Sequence, residues 1–384
     1  MHVVVHIGPY KTGSTSIQAS LRANPEELWR QGCYYFDEPH MPEFALQTLA
    51  LTGAEQMTPD LRHRFPSLAA AKAWSEGCWQ RFEAEVQCRR PPLTLISSEH
   101  FSGLSDPRVL IQRLRRSFSR ITVLAYLRDP ADLYCSTLQQ RIRGNGDRLS
   151  ALPSPLSFFY PARKQLEPFL NLVGAENMRV RRFGSPAATA ADTATTPITT
   201  PVTTGRHDVV QDFFATLSTL GRPLSLPSHH ANETLPAAVI AWVLSLNETL
   251  DDQGPGAARH LLLERLEITP EVQALPKLRF SDPSLPALIH ANARPACAWL
   301  NQTFLQGQEP LPLAAADLPR PDRSPQALAE VRAGLRDWLL DQLTPEATQV
   351  ISRAIVSLEP PHLDPDRPDP SDLAPSDLDP PPCP

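Results

Sequence analysis

Short apolar runs, each about as long as one buried strand, recur along the first half of the chain. They cover residues 3–7, 33–36, 93–96 and 121–127, and residues 177–183 alternate between apolar and polar positions. Short runs rich in β-branched and aliphatic side chains are typical of strands that are buried on both faces. Between and after these runs, apolar residues recur at the spacing of a helix face. The sequence therefore predicts an α/β fold of three layers, with a central parallel sheet and a helical C-terminal part.

The helical patterns and two segments of biased composition predict how the chain is organised. The helices are predicted over residues 41–51, 65–86, 107–118, 163–173, 208–220, 237–250, 258–268, 285–306 and, as a last helical region, 324–358. Residues 184–204 are almost only Ala, Thr and Pro, which is typical of a flexible surface insert. Residues 359–384 are rich in Pro and Asp with almost no apolar content, so we expect a disordered acidic tail. The prediction is one α/β domain over residues 1–358 that carries the insert, followed by the tail.

A strand, a tight turn and a helix N-terminus follow one another at the start of the chain. Gly8-Pro9 breaks the first apolar run, KTGST follows at residues 11–15, and residues 16–21 predict the opening of a helix. This arrangement gathers backbone N–H groups around one point, and the helix dipole and Lys11 add positive charge. The pattern therefore indicates an anion-binding site. The alternative is a Gly/Ser turn that binds no ligand.

Polar residues also follow the strand predicted over residues 93–96, in the sequence SSEH at 97–100. Because ligands gather at the carboxyl ends of parallel strands, we expect Glu99 and His100 to lie near the crevice that Lys11 faces. Side chains alternate along an extended stretch, so only one of the two can face that crevice. The alternative is that Ser98 caps a turn and Glu99 is solvated.

The strongest predicted strand, over residues 121–127, ends in Arg128-Asp129-Pro130. Asp129 suits a helix cap and Pro130 suits the first helical turn, so Ser136 falls on the second turn. A kinase that depends on Mg²⁺ would normally carry an acidic residue at such a strand end, and this chain carries Arg128. The alternative role for Arg128 is a salt bridge to Asp129.

Composition and charge argue against several classes of protein. A net charge of −6 over 384 residues disfavours a nucleic-acid-binding protein, which would be basic. The six cysteines form no CxxC pair and no cysteine–histidine cluster, which disfavours a zinc site or a disulfide framework and fits a reducing cytoplasm. The pair His229-His230 has no third ligand at a suitable spacing, so we expect no metal there. Met1 leads almost directly into the first strand and no apolar run approaches ~20 residues, so we expect no signal peptide and no transmembrane segment.

The order of residues in the first turn differs from a Walker A loop, in which lysine follows the second glycine. Here Lys11 precedes Gly13, and hydroxyls flank Gly13 on both sides. This spacing resembles the 5′-phosphosulfate loop of sulfotransferases that use 3′-phosphoadenosine 5′-phosphosulfate (PAPS). The form HIGxxKTGSTSIQ is similar to a bacterial branch related to the carbohydrate and glycan sulfotransferases. A strand followed by Arg128, Pro130 and Ser136 is similar to the 3′-phosphate motif of the same family. The resemblance covers residues 1–145 well and 160–250 loosely.

The resemblance implies a P-loop-type fold and a function. The function is transfer of the sulfuryl group of PAPS to a hydroxyl, on a carbohydrate or a glycolipid, without a metal. The resemblance implies a role for each site residue. Lys11 lies at the leaving phosphate, and the 5′-phosphate is bound by Lys11, Thr12, Gly13, Ser14 and Thr15. The 3′-phosphate is bound by Arg128 and Ser136, and the base is Glu99 or His100. A guanidinium binds phosphate in bidentate fashion and a hydroxyl adds a further donor, as this role of Arg128 and Ser136 requires. Similar sequences carry Glu at the first of the two base positions and vary at the second, which favours Glu99.

Two other functions remain open from the residues. A P-loop small-molecule kinase that uses ATP is disfavoured by the order of Lys11 and Gly13 and by Arg128 at the strand end. A catalytically inactive sulfotransferase-like binding module is disfavoured because Lys11, Glu99, Arg128 and Ser136 are all present. The sequence names neither the acceptor nor the oligomeric state.

Overall fold

The computed structural model describes residues 1–184, 208–221, 223–229, 235–249, 257–280, 283–315 and 322–356. The described strands are β1 (His2–His6), β2 (Cys33–Tyr35), β3 (Leu93–Ser97), β4 (Arg120–Leu127) and β5 (Met178–Arg182). The described α-helices are α1 (Ser14–Arg22), α2 (Pro25–Arg30), α3 (Pro59–Arg64), α4 (Leu68–Arg89), α5 (Arg108–Leu114), α6 (Pro130–Gln140), α7 (Ala162–Val173), α8 (Val209–Ser218), α9 (Ala237–Thr249), α10 (Ala257–Ile268), α11 (Pro270–Gln273), α12 (Ser284–Thr303), α13 (Pro325–Leu340) and α14 (Pro345–Val356).

The five described strands form one parallel sheet in the order β2-β3-β1-β4-β5. β1 lies at the centre, where His6 pairs with Ser97 of β3 and Val3 pairs with Ile121 of β4. Each strand begins and ends within one residue of the run that predicts it. The predicted α/β fold with a central parallel sheet is therefore confirmed.

Helices cover both faces of this sheet. Val3, Val5 and Ile7 contribute to a first core, which α4, α5 and α7 share, whereas Val4 contributes to a second core, which α1 and α8 share. This split follows from the alternation of side chains along a strand, which sends neighbouring residues to opposite faces. Both faces are thus buried, which explains why the strands read as continuous apolar runs.

The sheet changes winding direction beside its central strand. The loop after β1 leads to α1 on the side of the second core, while the chain after β4 leads through α6 to α7 on the side of the first core. Loops that leave adjacent strands toward opposite faces open a crevice at the carboxyl edge of a sheet. The residues after β1 and after β4 therefore line such a crevice.

The chain divides into two compact units. The sheet unit takes its described residues from 1–133, 158–184, 208–229 and 287–315, and the helical unit takes them from 134–157, 235–286 and 322–356. Within the helical unit, the buried Arg259 donates to the carbonyl of Ile142 at 2.6 Å and to Asn247 Oδ1 at 3.1 Å. A single domain over 1–358 stays a prediction. The predicted insert, apart from Gly184, and the predicted tail lie outside the described residues.

The helix predicted over residues 41–51 is wrong. This segment forms turns and a short 3-10 helix, Thr48–Ala50. The Ser75 hydroxyl of α4 donates to the carbonyl of Ala45 at 2.6 Å and accepts from the N–H of Leu49 at 3.1 Å. An α-helix would join that carbonyl and that N–H directly, so the inserted hydroxyl replaces an α-helical hydrogen bond.

Three chemical features concern the described residues as a whole. Cys33, Cys78, Cys135 and Cys297 are buried free thiols. The described helices include none that is long and apolar enough to cross a membrane. In the same ranges, no group of three or more His, Cys, Asp or Glu residues is arranged to hold a metal ion.

Candidate active site

The loop between β1 and α1 has an unusual backbone. Gly8, Lys11 and Gly13 have φ values of +35°, +65° and +83°, all in the region that favours glycine. The Thr12 hydroxyl donates to the carbonyl of Pro9 at 2.5 Å and closes the turn. Gly13 is the N-cap of α1 and offers no side chain to the first N–H groups of the helix. These N–H groups therefore point toward a position where an anion can accept from them.

Close packing explains the two glycines of this loop. A Cβ atom on Gly8 would lie 2.4 Å from Ser14 Oγ and 3.3 Å from the Cα atom of Glu99. A Cβ atom on Gly13 would lie 2.7 Å from Val209 Cγ1. The loop thus reaches the segment after β3, and the Ser14 hydroxyl lies inside it. Ser14 is buried, and its Oγ atom has no hydrogen-bond partner among the described residues, which suits a hydroxyl that donates to a ligand.

The segment after β3 brings a carboxylate and an imidazole to this loop. Residues Glu99–Gly103 form a 3-10 helix, and the hydroxyl of Ser98 accepts from the N–H of His100 at 3.1 Å. The premise that Glu99 and His100 alternate along an extended stretch is therefore wrong. The His100 ring stacks on Phe44 at 4.3 Å between centroids, and its Nδ1 atom lies 3.3 Å from the hydroxyl of Tyr10.

Burial shifts the two candidate bases in opposite senses. The pKa of Glu99 is raised chiefly by burial, and the charge of Glu43 adds to the rise while the charge of Lys11 opposes it. The pKa of His100 is lowered chiefly by burial, against the charges of Glu43 and Asp60. A carboxylate with a raised pKa and a histidine that stays neutral are both usable bases. Glu99 differs from His100 in that the charge of Lys11 affects its pKa.

Arg128 joins the end of β4 to the same loop. Its guanidinium donates from Nη1 to the carbonyl of Lys11 at 2.9 Å and lies over the ring of Phe183 at 5.4 Å. The carbonyl of Arg128 accepts from the hydroxyl of Tyr160 at 2.7 Å. Two cationic side chains are thus carried on segments that contact each other at the carboxyl edge of the sheet.

The neighbouring Asp129 has other partners. Its carboxylate accepts from the N–H of Ala131 at 2.8 Å, as a helix cap does, and lies 3.2 Å from His290 Nε2. The predicted capping role is therefore confirmed. These contacts favour the loop, rather than Asp129, as the partner of Arg128.

The remaining predicted residues of the site are Thr15 and Ser136. Thr15 is exposed on the first turn of α1. Ser136 is partly buried on α6, within the part of that helix that belongs to the helical unit. Its pairing with Arg128 of the sheet unit stays a prediction. His230 lies outside the described residues, and the N–H of His229 donates to Ser20 Oγ at 2.8 Å.

Sequence reasoning missed Tyr10 and Tyr160. Tyr10 is 40% exposed in the loop beside Lys11, and the charge of Glu99 adds to the effect of burial in raising its pKa. An aromatic residue inside a Gly-, Pro- and Ser-rich turn was the available signal for Tyr10. No local pattern marks Tyr160, because its hydroxyl bonds to a backbone carbonyl 32 positions earlier.

Comparisons with known proteins give a weak structural likeness. No family model matches the chain, and no curated protein matches it either. A solved structure that does match is the crystal structure of a sulfotransferase from Alicyclobacillus acidocaldarius. The two chains are 15% identical with a TM-score of 0.34, and the match covers 64% of this chain and 91% of the other. The chain is thus distantly similar in structure to a bacterial sulfotransferase.

Proposed function

We propose that the protein transfers the sulfuryl group of PAPS to a hydroxyl of a carbohydrate or glycolipid acceptor. The observation that carries the proposal is the meeting of three strand ends in the sheet unit. Arg128 donates to the carbonyl of Lys11, and Gly8 brings the Lys11 loop against the Cα atom of Glu99. Two cations can neutralise an anionic leaving group, and a partly buried carboxylate can act as the base, in a transfer between two oxygen atoms.

The donor set of the loop supports a phosphosulfate ligand. Backbone N–H groups at the start of α1, the Ser14 hydroxyl, Lys11 and Arg128 are all donors to anionic oxygens. Arg128 also occupies the strand end where a kinase carries a carboxylate for Mg²⁺. The set therefore favours an anion held by protein cations over a nucleotide held through a metal.

Each residue then has a chemical task. Bound PAPS supplies an activated sulfuryl group, so that one S–O bond forms to the acceptor oxygen while the S–O bond to the 5′-phosphate breaks. Glu99 takes the proton of the acceptor hydroxyl, and its raised pKa suits that task. Lys11 neutralises the charge that develops on the leaving phosphate. Residues 12–15 bind the 5′-phosphate, and Arg128 with Ser136 binds the 3′-phosphate.

Calorimetry with 3′,5′-adenosine bisphosphate and with MgATP tests the proposal. We expect the wild type and Arg120→Ala to bind the bisphosphate more tightly than MgATP, and Arg128→Ala to bind it weakly. Arg120 begins β4 and Arg128 follows its end, so the control removes the same charge from the other edge of the sheet. Preference for MgATP would favour the kinase, and binding of neither would refute the anion site. Bisphosphate binding without any conversion of PAPS would favour the inactive module.

A further inference from the structure

A fully buried histidine lies directly below the anion loop. His6 ends β1, is 1% exposed, and shares a hydrogen bond of 2.8 Å between its Nδ1 atom and the hydroxyl of Ser97. Its Nε2 atom has no hydrogen-bond partner among the described residues, and its ring meets the ring of Phe213 edge-on at 5.5 Å. Burial lowers the pKa of His6 to about 3, so the ring is neutral at working pH. The proposed chemistry gives this residue no role.

Gln18 completes a buried network with this histidine. It lies on α1 with 3% exposure, and its Nε2 atom donates to Ser97 Oγ at 3.2 Å and to the Ser97 carbonyl at 3.4 Å. The Ser97 hydroxyl therefore contacts β1 through His6 and α1 through Gln18. The hydrogen bonds of this buried network hold the elements that they join, since a shift would leave further polar groups unsatisfied.

The three connected elements are those that carry the proposed reaction. β1 leads into the loop of Lys11, α1 begins at the anion site, and β3 leads through Ser98 to Glu99. The N–H of Ser98 donates to the carbonyl of His6 at 3.1 Å, so a backbone hydrogen bond joins the same two segments as the side-chain contact between His6 and Ser97.

We propose that His6, Gln18 and Ser97 are positioning residues that set the separation of Lys11 and Glu99. The proposal rests on the proposed function, because it assigns these two groups to opposite sides of the transferred sulfuryl group. It also gives a physical reason for the His and Gln at the two ends of HIGPYKTGSTSIQ, residues 6–18. A displacement of ~1 Å between reacting groups can lower turnover about 100-fold.

The chain contains a matched contact at the other end of β1. His2 Nε2 lies 2.8 Å from the hydroxyl of Thr122 on β4, so the same strand carries a second histidine–hydroxyl pair. This pair lies at the amino edge of the sheet, away from Lys11 and Glu99. If the two histidine–hydroxyl pairs only stabilise the fold, breaking either pair should affect the site to a similar degree. If the His6–Ser97 pair positions the site, only breaking that pair should affect it.

The test compares Ser97→Ala and Gln18→Met with Thr122→Val as the control. The first readout is the pKa of the Glu99 carboxyl, followed by ¹³C NMR and assigned with Glu99→Gln. Lys11 lowers and Glu43 raises that pKa in the wild type, so a wider separation from Lys11 should raise it further. The second readout is conversion of PAPS with methyl glucoside as the acceptor probe, which should fall about 10- to 100-fold. Thr122→Val should change neither readout.

Several outcomes would overturn the inference. An unchanged pKa of Glu99 and unchanged turnover in both test variants would show that the network only stabilises the fold. An equal effect of Thr122→Val would show that any histidine–hydroxyl pair on β1 acts in this way. If Ser97→Ala does not fold, Gln18→Met decides alone. Failure of the wild type to bind 3′,5′-adenosine bisphosphate refutes the proposed function instead, and the pKa comparison still tests the positioning.

Discussion

Replacing Gly13 by alanine tests the anion loop through its backbone and its packing. An alanine at φ +83° is strained by about 1–2 kcal/mol relative to glycine. Its Cβ atom would also lie 2.7 Å from Val209 Cγ1 and 3.2 Å from Phe183 Cε2, and overpacking of this kind costs about 1–3 kcal/mol. We therefore expect Gly13→Ala to lower the free energy of unfolding by about 2–5 kcal/mol.

Gly307 provides a matched control for this substitution. Its φ is +82°, and a Cβ atom there would meet nothing within 4 Å, so Gly307→Ala should lose only the backbone contribution of about 1–2 kcal/mol. Urea denaturation of both variants measures the difference. Equal losses for the two variants would refute the close packing of the loop against Val209 and Phe183.

The same variant should also weaken anion binding. A shifted loop moves the first N–H groups of α1, and one charge-assisted hydrogen bond is worth about 1.5–3 kcal/mol. The Kd for 3′,5′-adenosine bisphosphate should therefore rise at least about tenfold in Gly13→Ala. Calorimetry at a temperature where the variant is folded measures it. An unchanged Kd would move the anion site away from the start of α1.

The other predictions concern the charged groups of the site. Lys11→Ala should lower PAPS turnover by ~10²–10³ with the melting temperature unchanged, and near-normal turnover would remove its assigned role. Arg128→Ala should raise the Kd for 3′,5′-adenosine bisphosphate more than Ser136→Ala, because charged contacts contribute ~1.5–3 and neutral ones ~0.5–1.5 kcal/mol; the opposite ranking would contradict the assignment. Because folding raises the pKa of Glu99, its stabilising contribution is present at low pH and is lost as the pH rises through the raised value. Glu99→Gln should thus have a higher melting temperature than the wild type at pH 7, but not at a pH below 4.5, the ordinary pKa of the carboxyl. A lower melting temperature than the wild type at pH 7 would contradict the burial argument. His100→Ala should keep the acidic limb of the pH–rate profile that Glu99→Gln loses, and loss of that limb in His100→Ala would make His100 the base.

Local patterns predicted the sheet because a strand buried on both faces needs a continuous apolar run. The runs over 3–7 and 121–127 become the neighbouring strands β1 and β4, and the residues that follow them meet at one edge. Lys11 and Arg128 were assigned to one ligand by the resemblance of their motifs to those of sulfotransferases. The rule for parallel sheets gives a physical reason why residues that follow two neighbouring strands lie close together.

The errors arose where a distant residue decides the local structure. Nothing between residues 41 and 51 indicates that a hydroxyl from Ser75 separates a carbonyl from its helical partner. In the same way, His6 reads as the end of a strand, and its role depends on Ser97, which lies 91 positions later in the chain. Patterns within one segment carry no information about such contacts.

The backbone of Lys11 supports its role independently of any family resemblance. Only Lys11 and Arg90, among the described non-glycine residues, have positive φ values, +65° and +44°. Arg90 ends α4, where a left-handed residue is a common way to terminate a helix. Lys11 ends no helix, and its conformation is strained by about 1–2 kcal/mol relative to glycine. Arg128 and Thr12 hold this turn by hydrogen bonds to its carbonyls. A glycine would relieve the strain, so we infer that the lysine is present for its side chain, at the position where the proposed reaction needs a cation.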